Sequence, residues 1–266
     1  MRFPFEKDKS LIGTVHLAPL PGSRGSKHDP DTILDAALAD ATAYMGGGVD
    51  GLIVENFGDA PFVPGSVEPH TVAYMTLIVR AIAKQAAARS IPVGVNVLRN
   101  DGPAALGVAR AAGASFVRIN VLTGVVATDQ GIIEGRAHEV ARYRELIGGR
   151  MAIFADVHVK HGRTLHSGDV AQAAHDTFHR GGADALIVTG AASGAPPDSA
   201  ELLAVKRVLP DAPLIAGSGL SPYNAPDIFA HARAAIVGTW CKHDGEITAP
   251  VDQARVEKLV AAVDSL

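Results

Sequence analysis

Short apolar runs rich in Val, Ile, Leu and Ala recur about every 30 residues, the length of one strand–helix–strand unit. A longer segment with a one-sided apolar pattern follows each of them. Residues 11–16, 51–55, 92–96, 116–120, 151–157, 185–189, 213–216 and 234–237 read as strands, apolar on both faces as buried parallel strands are. Segments 30–45, 69–89, 103–112, 134–147, 169–180, 198–208, 224–229 and 251–263 read as helices. Pro69 sits near a helix start, where its missing N–H costs nothing, and Asp169 is a good N-cap. The stretches GGVDGLIV, AGASFVRI and GGADALIV repeat a glycine helix stop before the second, fourth and sixth strands. Eight strand–helix units predict an α/β fold, a single (β/α)8 TIM barrel. A doubly wound open sheet is the alternative, but its first turn calls for G-x-G-x-x-G, where this chain has HLAPLPG.

The 266 residues suit one domain, 1–266, large enough for a full core. A net charge of -4 without a basic stripe argues against nucleic acid as a partner. The single cysteine, Cys241, precludes an intrachain disulfide and suits a reducing compartment. The first ten residues are charged, unlike a signal peptide, and no apolar run approaches the roughly 18–20 residues of a membrane span. The expectation is a cytoplasmic protein without direct membrane insertion. Closed barrels often associate, but no face declares a homo-oligomer interface.

Polar residues gather where the strands end, which in a β/α barrel is the active-site rim. In chain order they are His16, Glu55 and Asn56, Asn96, Asn120, Asp156 with His158 and Lys160, Thr189, Ser218 and Thr239. Asp156 is the leading catalytic candidate, able to orient a histidine, bind a cation or act as a base; its plainer role is to cap a neighbouring loop. Glu55 stands where a catalytic carboxylate or metal ligand would, or pairs with Arg118 or Arg99 in the barrel mouth. Lys160 could neutralise phosphate or form a Schiff base, and His158 could exchange protons, unless both are loop residues. His16 is expected in the pocket, because a core imidazole there without a partner is costly. Asn56, Asn96 and Asn120 offer donors and acceptors that suit ligand hydroxyls, or pair with one another.

The seventh and eighth strands end in Gly217-Ser218-Gly219 and Gly238-Thr239, where backbone N–H groups can surround an anion. Those loops are the usual phosphate site of such barrels, so the expected partner is a phosphorylated small molecule. No cofactor is specified; Mg²⁺ is the candidate a strand-end carboxylate would take. His175 and His179 have zinc-like i, i+4 spacing but lie on an outer helix without the Glu of H-E-x-x-H; His158 and His161 are too few for a closed site. Cys241 has no identifiable base beside it. The long segments 56–70 and 121–133 are candidate lids, with Asp129 and Gln130 at the tip of the second.

The motifs IGTVHLAPLPGS, GLIVENFGDAPF, GVNVLRND, RINVLTG, TDQGIIEG, IFADVHVKH, DALIVTG, GSGL and IVGTWCKHDG resemble the BtpA family from about Leu11 to Val260. The resemblance implies a barrel of the ribulose-phosphate-binding kind, in line with phosphate at Gly217–Gly219 and Gly238-Thr239. Two functions are associated with such a family: a biogenesis factor for photosystem I, and a nucleosidase-like activity in a branch from a sugar-utilisation gene cluster. The expectation is therefore an enzyme acting on a phosphorylated sugar or nucleoside-type metabolite, by N-glycosidic hydrolysis or sugar-phosphate chemistry. The alternative is a non-catalytic assembly factor for photosystem I or another membrane complex, peripheral to the membrane through a protein partner.

Overall fold

The computed structural model describes residues 3–159, 161–165, 169–190 and 194–266. Eight parallel strands close into a barrel: β1 (Ser10–His16), β2 (Gly51–Glu55), β3 (Val93–Asn96), β4 (Phe116–Ile119), β7 (Ala152–Asp156), β9 (Ala185–Val188), β10 (Leu214–Ala216) and β11 (Ala234–Val237). They neighbour one another in chain order, and β11 closes on β1. Helices α1 (Pro30–Gly46), α2 (Pro69–Ala87), α3 (Gly102–Ala112), α4 (Ala137–Leu146), α5 (Val170–His175), α6 (Ser199–Val208), α7 (Ala225–Phe229) and α8 (Gln253–Asp264) alternate with them. This is the TIM barrel that the hydrophobic pattern predicts.

Side chains alternate along each strand, and each of the two directions has its own core. Leu11, Val15, Leu52, Val54, Val117, Ile153, Leu186 and Val237 point outward and pack under the helices. Ile12, Ile53, Phe116, Phe154, Ile187, Ile215 and Ile236 fill the lumen. Phe5 enters the lumen from the N-terminal segment and meets Phe116 edge-on, with ring centroids 5.8 Å apart. The bottom of the barrel is thus solid, and the alternation that buries Phe116 and Phe154 aims Arg118 and Asp156 into the lumen above them.

The structure departs from the sequence reading in segment 121–133. It is not a loose loop: β5 (Val125–Thr128) and β6 (Gly131–Glu134) form an antiparallel hairpin, and β8 (Gly162–Thr164) adds to the free side of β5. Glu134 pairs with Val125 in this sheet, so α4 starts at Ala137 and not at 134. After α5 the chain continues in a π-helical turn, Asp176–Arg180. Asp169 does cap α5, accepting the Gln172 N–H at 2.9 Å.

Candidate active site

Strand register assembles the core of the site. His16 pairs with Glu55, Glu55 with Asn96, and Asn96 with Arg118, one unbroken row across β1, β2, β3 and β4. Asp156 reaches the row from the end of β7. Arg118 is its centre: Nε donates to Asp156 Oδ1 at 2.9 Å, Nη2 to Asp156 Oδ2 at 3.0 Å, and Nη1 to Glu55 Oε1 at 3.1 Å. All three side chains are buried. Burial alone would lower the Arg118 pKa, but Asp156 and Glu55 outweigh it and hold the guanidinium above its ordinary value. A cation bound by both carboxylates would have to displace this guanidinium, so the pair does not fit a shared Mg²⁺ site.

The two carboxylates differ in freedom. Asp156 also accepts from Asn120 Nδ2 at 3.0 Å and is wholly enclosed, which makes it a positioning residue for Arg118 and Asn120. Glu55 spends one oxygen on Arg118 and lines cavities on both sides of the barrel mouth. The ion pair with Arg118 expected as its plainer role is present, and it leaves Glu55 a carboxylate that lines both cavities.

A cavity of about 190 Å³ lies on the β10–β11 side. The loops carrying Gly217, Ser218 and Gly219, and Gly238 with Thr239, line it together with His16 and Glu55. Gly219 has a left-handed φ of +69°, and a Cβ there would come within 2.1 Å of Pro196 N. Gly238 lets the His16 ring approach: a Cβ would stand 2.8 Å from His16 Cε1. His16 also packs on Phe57, with centroids 4.7 Å apart. The Ser218 hydroxyl is engaged, donating to Ala195 O at 2.8 Å and accepting from Gly190 N at 3.2 Å. Among the described residues, no acceptor takes the Ser218 or Gly219 backbone N–H.

Two residues of this cavity escaped the sequence reading. Arg255, in the first turn of α8, lines it, stacks its guanidinium 4.5 Å from the Trp240 ring centre and donates to Trp240 O. The Trp240 indole N–H has no acceptor among the described residues. Trp240 lies inside the IVGTWCKHDG motif and could have been found there; Arg255 sits on a helix face with no local signal.

Other predicted residues scatter. Asn96 and Asn120 line a second cavity of about 390 Å³ on the β2–β4 side. Asn56 is engaged by two loops, accepting Leu98 N from the loop after β3 at 2.7 Å and donating to Asp59 Oδ2 of its own loop at 3.0 Å. His158 and Thr189 line a separate cleft toward β8, and the Thr189 hydroxyl donates to His158 O at 3.2 Å. Lys160 lies outside the described residues. His175 and His179 lie tilted against each other on the barrel exterior, with ring centroids 4.7 Å apart.

The profile of the BtpA family matches residues 7–265. The chain belongs to the BtpA family. An uncharacterised protein of Thermococcus kodakarensis is 47% identical over 98% of this chain and 97% of its own. The photosystem I biogenesis protein BtpA of Synechocystis is 43% identical over 97% of this chain and 89% of its own. Among solved structures, tryptophan synthase of Mycobacterium tuberculosis superposes with a TM-score of 0.60 at 18% identity, over 96% of this chain and 93% of that one. Phosphoribosyl anthranilate isomerase of Thermus thermophilus gives 0.57 at 14%, over 96% and 98%. At such identities these structures show that the BtpA fold is that of the TIM-barrel enzymes, and no more.

Proposed function

We propose that this BtpA-family barrel is an enzyme acting on a phosphorylated sugar or nucleoside-type metabolite. One observation carries the reading: the cavity lined by the glycine loops after β10 and β11 is also lined by Arg255, Trp240 and the Glu55–Arg118 pair. Backbone N–H groups and a guanidinium would bind phosphate oxygens, as charge-assisted hydrogen bonds do best. Glu55 would stand over the reacting centre. In N-glycosidic hydrolysis a carboxylate there stabilises the cationic sugar and activates water. In sugar-phosphate chemistry the same oxygen takes a proton beside a carbonyl and gives it back at the adjacent carbon, while His16 exchanges a proton with the carbonyl oxygen. That several barrels of this fold are named for phosphorylated compounds, such as the isomerase above, agrees with the reading.

The reading is tested by thermal unfolding against sugar phosphates, nucleoside monophosphates and their dephosphorylated forms. A ligand at a hundredfold excess over its Kd stabilises by about 2.7 kcal/mol. The expected result is a shift that needs the phosphate and disappears in Arg255→Gln. A full panel without any shift would move the weight to the second reading, a non-catalytic assembly factor, which the name of the Synechocystis relative favours. No described helix is long and apolar enough to cross a membrane. On that second reading the factor would meet a membrane complex through a protein partner.

A further inference from the structure

The second cavity, on the β2–β4 side, shares two lining residues, Glu55 and Arg118, with the phosphate-side cavity. Its walls include Phe57 and Phe62, and the β5–β6 hairpin contributes Asp129 and Gln130.

The hydrogen-bond polarity of this cavity is fixed by the ion pair beneath it. Asp156 can only accept, so Asn120 must turn its Nδ2 toward it, at 3.0 Å. Asn120 Oδ1 then accepts from Asn96 Nδ2 at 3.0 Å, and the same Nδ2 donates to Arg118 O at 3.0 Å. Neither amide can flip without setting oxygen against oxygen. Asn96 is therefore left with Oδ1 unused: the side chain is 1% exposed, and this oxygen has no partner among the described residues. Gln130 repeats the arrangement. Its Nε2 donates to Asp129 Oδ2, and its buried Oε1 has no partner among the described residues. An unsatisfied buried acceptor is costly, so two among the residues lining one cavity mark where donors are meant to arrive.

We propose that this cavity is a subsite for the non-phosphate half of the ligand, and that Asn96 and Gln130 select there for a group bearing N–H or O–H donors. The proposal rests on the reading that the opposite cavity holds the phosphate. The ligand then spans the mouth, phosphate on Arg255 and donors on the two amide oxygens, with Glu55 facing its middle.

Calorimetric titration of the full chain with four phosphorylated probes tests this: inorganic phosphate, benzyl phosphate, guanosine 5′-monophosphate and glucitol 6-phosphate. Benzyl phosphate can fill an aromatic-walled cavity but offers no donor from its ring. The expected result is that guanosine monophosphate or glucitol 6-phosphate binds at least tenfold tighter than benzyl phosphate. Which of the two does so tells a heterocycle from a polyol. Gln130→Leu should shrink that ratio below threefold, and because the ratio is taken within one variant, a general loss of folded protein cannot imitate it. Equal affinity for benzyl phosphate, or a ratio unmoved by Gln130→Leu, overturns the subsite while leaving the phosphate reading standing. If no phosphorylated probe outbinds free guanosine and glucitol, the phosphate reading fails; the subsite survives only if those two bind and lose affinity in Gln130→Leu. Binding by none of the probes overturns both.

Discussion

Arg118 is a charged residue inside an apolar strand, and its burial dictates what its neighbours can do. Removing one partner of a buried ion pair costs about 3–5 kcal/mol, because the remaining charge is left without compensation. Asp156→Asn leaves Glu55 beside Arg118 but sets an amide NH2 where Asp156 accepts from Arg118 twice and from Asn120 once, so stability in urea denaturation is expected to fall by up to about that amount. Glu55→Gln keeps an oxygen for Arg118 and leaves Asp156 in place. It should cost only about 1 kcal/mol, within the usual range for one hydrogen bond, and abolish turnover if the barrel is the proposed enzyme. Cys241 gives a pH-dependent counterpart. Burial pushes its thiol from the ordinary 9.0 up to about 12. The folded state thus favours the protonated thiol: that stability is whole below pH 9 and is lost as pH rises toward 12. Cys241→Ala should flatten this alkaline decline in pH-dependent denaturation. A residual slope should remain from Tyr44, which burial also raises. At this scale the sequence disclosed Glu55, His16 and the glycine loops, because strand ends in a barrel converge. It hid that Asp156 is consumed by Arg118 and Asn56 by Leu98, since strand register and loop path decide both.

The elements that frame the site are held by a few specific contacts. The loop after β11 is tied to α1 by a buried pair, Lys242 Nζ to Asp40 Oδ2 at 2.6 Å, and Asp40 Oδ1 accepts Val251 N at 2.7 Å. Asp40→Ala should destabilise by about 3 kcal/mol or more and loosen the loop that bears Gly238 and Thr239, which amide hydrogen exchange would report. On β3, a Cβ at Gly94 would come within 2.1 Å of the Phe116 ring. Gly94→Ala should cost roughly 1–3 kcal/mol as an overpacked core does, read as a lower urea midpoint. The eight barrel strands were legible because they are short, apolar and evenly spaced. The β5–β6 hairpin was not. Its strands are four residues each, mostly open to solvent on β6, and its partner β8 lies well ahead in the chain. Local periodicity therefore offered little. The hairpin nonetheless brings Asp129 and Gln130 to the pocket, as their place at a lid tip suggested.

For the molecule as a whole, one alternation organises everything: outward residues weld strands to helices, and inward residues change from aromatic and aliphatic below to ionic and amide above. The closed barrel converts that gradient into a mouth with two cavities meeting at Glu55 and Arg118. The BtpA family relationship extends over nearly the full chain, so this architecture is the family's own frame and not a borrowed one. The central claim is that the loops after β10 and β11, with Arg255, hold a phosphate group. The most direct measurement is a crystal structure grown with tungstate, a phosphate-shaped anion that anomalous scattering locates without ambiguity. The account predicts a single strong peak among Gly219, Thr239 and Arg255, lost in Arg255→Gln. Density at other places only, or none in the cradle at saturating tungstate, would contradict it.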